Sequence, residues 1–220
     1  MRGSLTMSVS ARVGVLVSGR GSNLQALLDA AADPWFPADI VKVVANVPGA
    51  YALDRAAGAG VATALVEHRG RTREDFEAEL LLQLEDVDTV CLAGFMRVLT
   101  PRFLDAFPGR VLNIHPALLP AFPGTHGPRQ ALAAGVTQAG ATCHLVDSGV
   151  DTGPILAQGT VPVLPGDTEA SLAARILGVE HRLYPMCLRW LAEGRVLVEG
   201  RRATVDLRPG ESRWITGPSA

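Results

Sequence analysis

The chain is poor in cysteine. Cys91, Cys143 and Cys187 are three in 220 residues, odd in number and widely spaced. No C-x-x-C pair suggests zinc or a redox dithiol, and no disulfide framework is implied. Each thiol sits in an apolar run and reads as buried and free. The chain also lacks an excess of charge of either sign: the net value is −2. No global basic field recruits nucleic acid or a membrane surface. No apolar run is long enough to span a bilayer. Met1-Arg2-Gly3-Ser4 is polar with no signal core behind it, so residues 1–12 read as a disordered leader, with Met7 as a candidate start, and the protein is expected in the cytoplasm. Internal repeats, low-complexity segments, an H-E-x-x-H helix and a Gly-Lys-Ser/Thr phosphate loop are all missing.

What remains is an ordinary compact composition, 48% hydrophobic and 19% charged, long enough for one core. Strand-like and helix-like runs alternate. Val13–Val17, Ile40–Ala45, Ala62–Val66, Val87–Ala93, Val111–Ile114, Ala141–Val146 and Ile155–Val161 read as strands. Helices are expected over Leu24–Ala31, Ala52–Ala59, Arg73–Leu84, Pro101–Ala106 and Arg129–Ala134. A long helix capped by Asp167 or Thr168 carries the stripe Leu172, Ile176, Val179, Leu183, Cys187, Trp190 and Leu191, with Pro185 expected to kink or break it. Arg195–Glu199 and Ala203–Leu207 read as a terminal hairpin. The pattern predicts an α/β fold: a doubly wound, mostly parallel sheet with helices on both faces.

Two stretches carry chemistry. Arg110-Val-Leu-Asn-Ile-His-Pro116 is a strand stopped by proline, with Asn113 and His115 on one face. An amide that donates to an oxyanion beside an imidazole that moves protons suits acyl transfer; two satisfied polar groups of a core are the alternative. Ser18-Gly-Arg-Gly-Ser-Asn23 lies between a strand and a helix, with Ser22 or Asn23 as N-cap. This arrangement binds anions, and is equally a tight turn that needs glycine. Leu24 stands where a dinucleotide loop has its third glycine. A long loop rich in proline and glycine follows Pro116. His126 in that loop faces either a site or solvent, and His68 reads as a solvated loop residue. Glu180, on the flank of the long helix's stripe, either leans into a site or pairs with Arg175 or Arg182 in solvent, and taken alone its position favours solvent.

Four segments in order closely resemble the phosphoribosylglycinamide formyltransferases, the folate-dependent GAR transformylases of purine synthesis: Ser18-Gly-x-Gly-Ser-Asn23, Gly94-Phe-Met-Arg97, Leu112-Asn-Ile-His-Pro116 with Leu118-Leu-Pro120, and Asp151-x-Gly-Pro154. The resemblance runs from about Val13 to Leu191. It departs at Ala117, where the family usually has serine, and at Arg20, where members vary. It implies the formyltransferase fold with a Rossmann-like N-terminal half. Residues 13–220 would form one domain, with a phosphate-binding half at about 13–107 and a folate and catalytic half at about 108–207.

By the resemblance Asn113, His115 and Asp151 match the catalytic trio. Gly21, Ser22 and Asn23 match the loop for the GAR phosphate, and Glu180 matches a ligand-binding glutamate. Arg73, Met96, Arg97, Val98, Leu99, Asn113, Asp147 and Val150 fall on the folate side. The implied reaction is attack of the GAR amine on the formyl carbon of 10-formyltetrahydrofolate, a co-substrate. Asn113 and protonated His115 would stabilise the oxyanion, and Asp151 would favour the imidazolium and assist proton transfer. No metal, nucleic acid or membrane is expected, and the protein is expected as a monomer or homodimer. The alternatives are a formyltetrahydrofolate hydrolase, a non-catalytic folate-binding protein, and a metal hydrolase using His115, His144 and Asp151. Only twelve residues precede Val13, which argues against the hydrolase's extra N-terminal domain. Little follows Leu191, which argues against a tRNA formyltransferase.

Overall fold

The computed structural model describes residues 10–217; residues 1–9 of the expected leader, Met7 included, lie outside the described residues. The chain runs β1 (Ala11–Val17), α1 (Ser22–Ala31), β2 (Ala38–Ala45), α2 (Ala52–Gly58), β3 (Ala62–Leu65), α3 (Arg73–Gln83), β4 (Thr89–Ala93), α4 (Pro101–Ala106) and β5 (Val111–His115). It continues with α5 (Gly127–Ala133), β6 (Gln138–Leu145), β7 (Ile155–Pro162), α6 (Glu169–Ala192), β8 (Val196–Glu199), β9 (Arg202–Val205) and β10 (Trp214–Thr216). Ala11 and Arg12, assigned above to the leader, instead open β1. Ala11 pairs with Ala38, and the Arg12 amide donates to Asp88 Oδ2 at 2.8 Å.

Among the described residues, ten strands divide into an eight-stranded sheet, ordered β10-β7-β6-β5-β4-β1-β2-β3, and the two-stranded β8-β9 hairpin. β1 to β5 pair in parallel, β6 runs antiparallel to both β5 and β7, and β10 lies parallel to β7. The chain goes outward from β1 through β2 to β3, then restarts at β4 on the other side of β1. The loops after β1 and β4 therefore part from each other there, leaving the crevice in which open α/β sheets bind ligands.

The period-2 geometry of a strand splits the core in two. Val13, Val15 and Val17 of β1 pack with α1 and α6, whereas Leu16 packs with Phe76 and Leu80 of α3 and Phe103 of α4. Every residue of the predicted α6 stripe is buried, and Thr168 caps the helix in a capping box with Ser171. Of the kink or break expected at Pro185, the break does not occur: α6 runs through it as one helix. Pro185 costs one helical hydrogen bond, but buried Leu183, Tyr184, Cys187 and Leu188 fix the helix on either side of it. The Tyr184 hydroxyl also reaches the carbonyls of Leu92 and Leu112, at 2.9 and 3.1 Å. β10, a three-residue strand outside any hydrophobic alternation, has no signal in the sequence. No described helix is long and apolar enough to cross a membrane.

Candidate active site

β5 sets the geometry. Asn113 lies opposite His144 of β6 in the antiparallel register, and the Asn113 amide Nδ2 approaches His144 Nε2 at 3.1 Å. His144 Nδ1 lies 2.9 Å from the Leu145 carbonyl, so Nε2 is the ring nitrogen turned to the site. His115, two residues along β5 on the same face, is 4% exposed. Its Nε2 faces the Phe122 carbonyl at 2.9 Å and its Nδ1 faces Asp151 Oδ2 at 3.3 Å. Both neighbours are acceptors, so the imidazolium form donates to both.

Asp151 arrives from the loop between β6 and β7, which folds back over this face. Its Oδ2 accepts the Gly124 amide at 2.7 Å, and its Oδ1 lies 3.6 Å from His144 Nε2. One carboxylate thus bridges two imidazoles. Burial pushes the Asp151 carboxyl upward, but His144, the Gly124 amide and His115 together outweigh it and hold the group below the usual carboxylate range. Asp151, Phe122 and His126 are the non-glycine residues with positive φ among the described residues, at 54°, 56° and 61°. Strain of this kind persists only where surrounding structure imposes it, and it gathers at functional sites.

These side chains line a cavity of about 480 Å³. Its walls are the segment after β4, Gly94 to Leu99, and the loop from Asp147 to Asp151. Phe95, Val98, Leu99, Ile114, Val146 and Val150 make it largely apolar, and Asn113, His115, His144 and Asp151 give it one polar end. Met96, Arg97, Val98, Leu99, Asn113, Asp147 and Val150 all line it. Arg73 does not: it is exposed at the start of α3. His126 is both exposed and on the rim, 3.5 Å from Glu169. His144 is the residue the sequence reading undervalued. It was weighed there only as a metal ligand, and its antiparallel pairing with Asn113 had no local signal. Among the described residues no group of three or more His, Cys, Asp or Glu is arranged to hold a metal ion.

The Gly19–Asn23 turn lies next to this cavity. Its N-cap is Gly21, not Ser22 or Asn23. Gly21 has φ 73°, and a Cβ there would stand 2.6 Å from the Ala52 Cβ, so the tight approach of α2 to the turn requires glycine. Asn23 turns away from capping: its Nδ2 donates to Glu180 Oε2 at 2.6 Å, while its Oδ1 is buried without a partner. Glu180 is 6% exposed, against the solvent-facing reading of its position. Burial raises its carboxyl above the usual range, and the Asn23 bond only partly opposes this. His68 is likewise not a free loop residue: its Nδ1 sits 2.8 Å from the Asn46 carbonyl.

Residues 11–188 match the formyl transferase family. A phosphoribosylglycinamide formyltransferase from Mycobacterium tuberculosis is 49% identical over 201 residues, 90% of this chain and 93% of that protein. The chain belongs to the phosphoribosylglycinamide formyltransferase family. A crystal structure of a family member, glycinamide ribonucleotide transformylase 1 from Symbiobacterium toebii, superposes with a TM-score of 0.90 at 47% identity, covering 93% of this chain and 98% of that one. The trifunctional purine biosynthetic protein adenosine-3 of Drosophila melanogaster is 48% identical over 85% of this chain, and the chain spans only 14% of that protein's length. The family assignment accounts for the whole α/β core from β1 into α6.

Proposed function

We propose that the protein transfers the formyl group of 10-formyltetrahydrofolate to the amine of phosphoribosylglycinamide (GAR), in the cytoplasm, giving formyl-GAR and tetrahydrofolate for purine synthesis. The observation that carries this reading is the Asp151 carboxylate bridging His115 and His144 at the polar end of an apolar cavity, with Asn113 beside them. The apolar walls suit a flat heteroaromatic ring. The Gly21–Asn23 turn, at the start of α1, suits the GAR phosphate. Glu180 and the unpartnered Asn23 Oδ1 are acceptors for ribose hydroxyls.

In this mechanism the amine nitrogen bonds to the formyl carbon and the carbonyl oxygen becomes an oxyanion. Asn113 Nδ2 exchanges its His144 contact for that oxygen. The C–N10 bond then breaks, N10 takes a proton, and the amine loses one. Asp151, ionised at neutral pH and flanked by two imidazoles, is the relay for that proton. The Nε2–H of His115 is already given to Phe122, so His115 reaches an oxyanion only by giving up that contact. Its standing part here is to hold Asp151. No protein nucleophile enters, and the buried thiols, with burial raising Cys91 to about 12, take no part. The reading asks for no metal, nucleic acid or membrane.

The test is absorbance-monitored release of deformylated folate with and without GAR. Release that needs GAR, and is lost in His115→Ala, is the expected result. Equal release without GAR makes the protein a hydrolase. Bound folate with no release leaves a binding protein.

A further inference from the structure

Ser18 and Asn46 line no part of the cavity, yet they tie one of its walls to the glycine turn. Ser18 is the last residue before the glycine turn. Its hydroxyl donates to Asn46 Oδ1 at 2.7 Å and accepts the Met96 amide at 3.0 Å. Met96 belongs to the cavity wall after β4. Asn46 follows β2, is 2% exposed, and is fixed by its own amide on the Val17 carbonyl at 3.3 Å. The Asn46 carbonyl faces His68 Nδ1 at 2.8 Å. From His68 a second arm returns through rings: His68 meets Phe76 edge-on at 6.2 Å, and Phe76 stacks on Phe95 at 6.5 Å. Phe95 precedes Met96. A polar arm and an aromatic arm therefore close a circuit on two adjacent residues of the wall. The hydroxyl of Ser18 is the point where this circuit meets the glycine turn.

We propose that Ser18 and Asn46 are positioning residues that set the distance between the GAR seat and the folate wall, so that the amine meets the formyl carbon. The proposal rests on the formyl-transfer reading above. A serine hydroxyl has one donor and two lone pairs, and here the donor goes to Asn46 and a lone pair to Met96. Losing the hydroxyl strands both partners and frees the wall from the turn. Each seat stays formed, because Gly21 to Asn23 keep their own contacts with α2 and Glu180 and Leu99 remains in the core. What is lost is the alignment between the seats. An offset of about 1 Å between reacting groups costs on the order of 10² in rate.

The test compares Ser18→Val with Ser18→Thr, which has the branched shape of valine but keeps the hydroxyl. In Ser18→Val, kcat should fall roughly 10- to 100-fold while KM for GAR and for 10-formyltetrahydrofolate each stay within about threefold. Ser18→Thr should restore most of kcat. Asn46→Ala should give the same pattern, and combining it with Ser18→Val should add little. Wild-type kcat in Ser18→Val, a rise confined to KM for GAR, or failure of threonine to rescue would overturn the proposal. Should the valine variant not fold, Ser18→Ala is judged by the same split. Wild-type protein that transfers no formyl group to GAR overturns the parent reading, a separate outcome seen before any variant is made.

Discussion

Asn23 and Glu180 are joined across 157 residues by a 2.6 Å hydrogen bond, and this bond ties the start of α1 to the middle of α6. The carboxylate is buried and its pKa is raised by that burial. A raised value in the folded state means that Glu180 contributes its full stability below the ordinary carboxylate range and loses it as pH rises through the folded value. Glu180→Gln should therefore melt higher than the wild type at pH 7, by about 2–4 °C if the effect is near 1 kcal/mol, with the gap closing towards pH 4. The same variant should bind GAR more weakly, because an acceptor for the ribose becomes partly a donor. Melting curves between pH 4 and 8, with and without GAR, check both.

Asp151 behaves in the opposite sense. Its pKa is lowered, so its contribution is full above the ordinary carboxylate range and disappears as pH falls through the folded value. Asp151→Asn tolerates the positive φ, since asparagine shares this preference, and should fold. It should be less stable than the wild type at neutral pH, with the difference shrinking below about pH 4. Formyl transfer should fall by roughly 10²–10⁴ through loss of the proton relay. A variant that folds and keeps wild-type kcat would remove Asp151 from the chemistry.

Asn113→Ala removes the amide that faces His144 and that the proposed mechanism turns to the reacting oxygen. A loss on the order of 10²–10³ in kcat with little change in either KM is expected of an oxyanion donor. Steady-state kinetics in both substrates separates this from a binding role, which would move KM instead.

Gly21→Ala forces a side chain into a left-handed conformation, costing about 1–2 kcal/mol, and into the Ala52 Cβ. The turn must shift, so KM for GAR should rise more than KM for 10-formyltetrahydrofolate. Equal rises in the two would argue that the turn does not hold the phosphate.

The sheet, the helices and the residues of β5 were legible in the sequence because periodicity and proline placement are local signals. Spacing alone gives seven buried apolar positions of α6, but not Tyr184 and Leu188, which are buried beside them. Glu180 was misread by the same logic: its place on the flank of the stripe says nothing about Asn23, which is distant in sequence. His144 stayed hidden because its partner is chosen by an antiparallel register, and His68 because its partner Asn46 lies across a parallel crossover. Pro185 does not break α6 because tertiary packing on both sides of it outweighs the local penalty. Families of motifs supplied what geometry could not: that Asp151 belongs beside His115 came from the resemblance, and the 3.3 Å approach gives it a physical basis.

β10 has a consequence for how these molecules behave in company. It occupies the outer edge of the eight-stranded sheet, where the Gln158 amide donates to the Arg213 carbonyl at 3.0 Å and the Gly217 amide to the Thr160 carbonyl at 2.7 Å. Without that cover, β7 would present an open row of backbone donors and acceptors, a template for a neighbouring chain. A three-residue strand offers a visitor far less to grip. The short stretch from Trp214 to Thr216 thus narrows the open edge of the sheet, a task remote from the polar groups on β5.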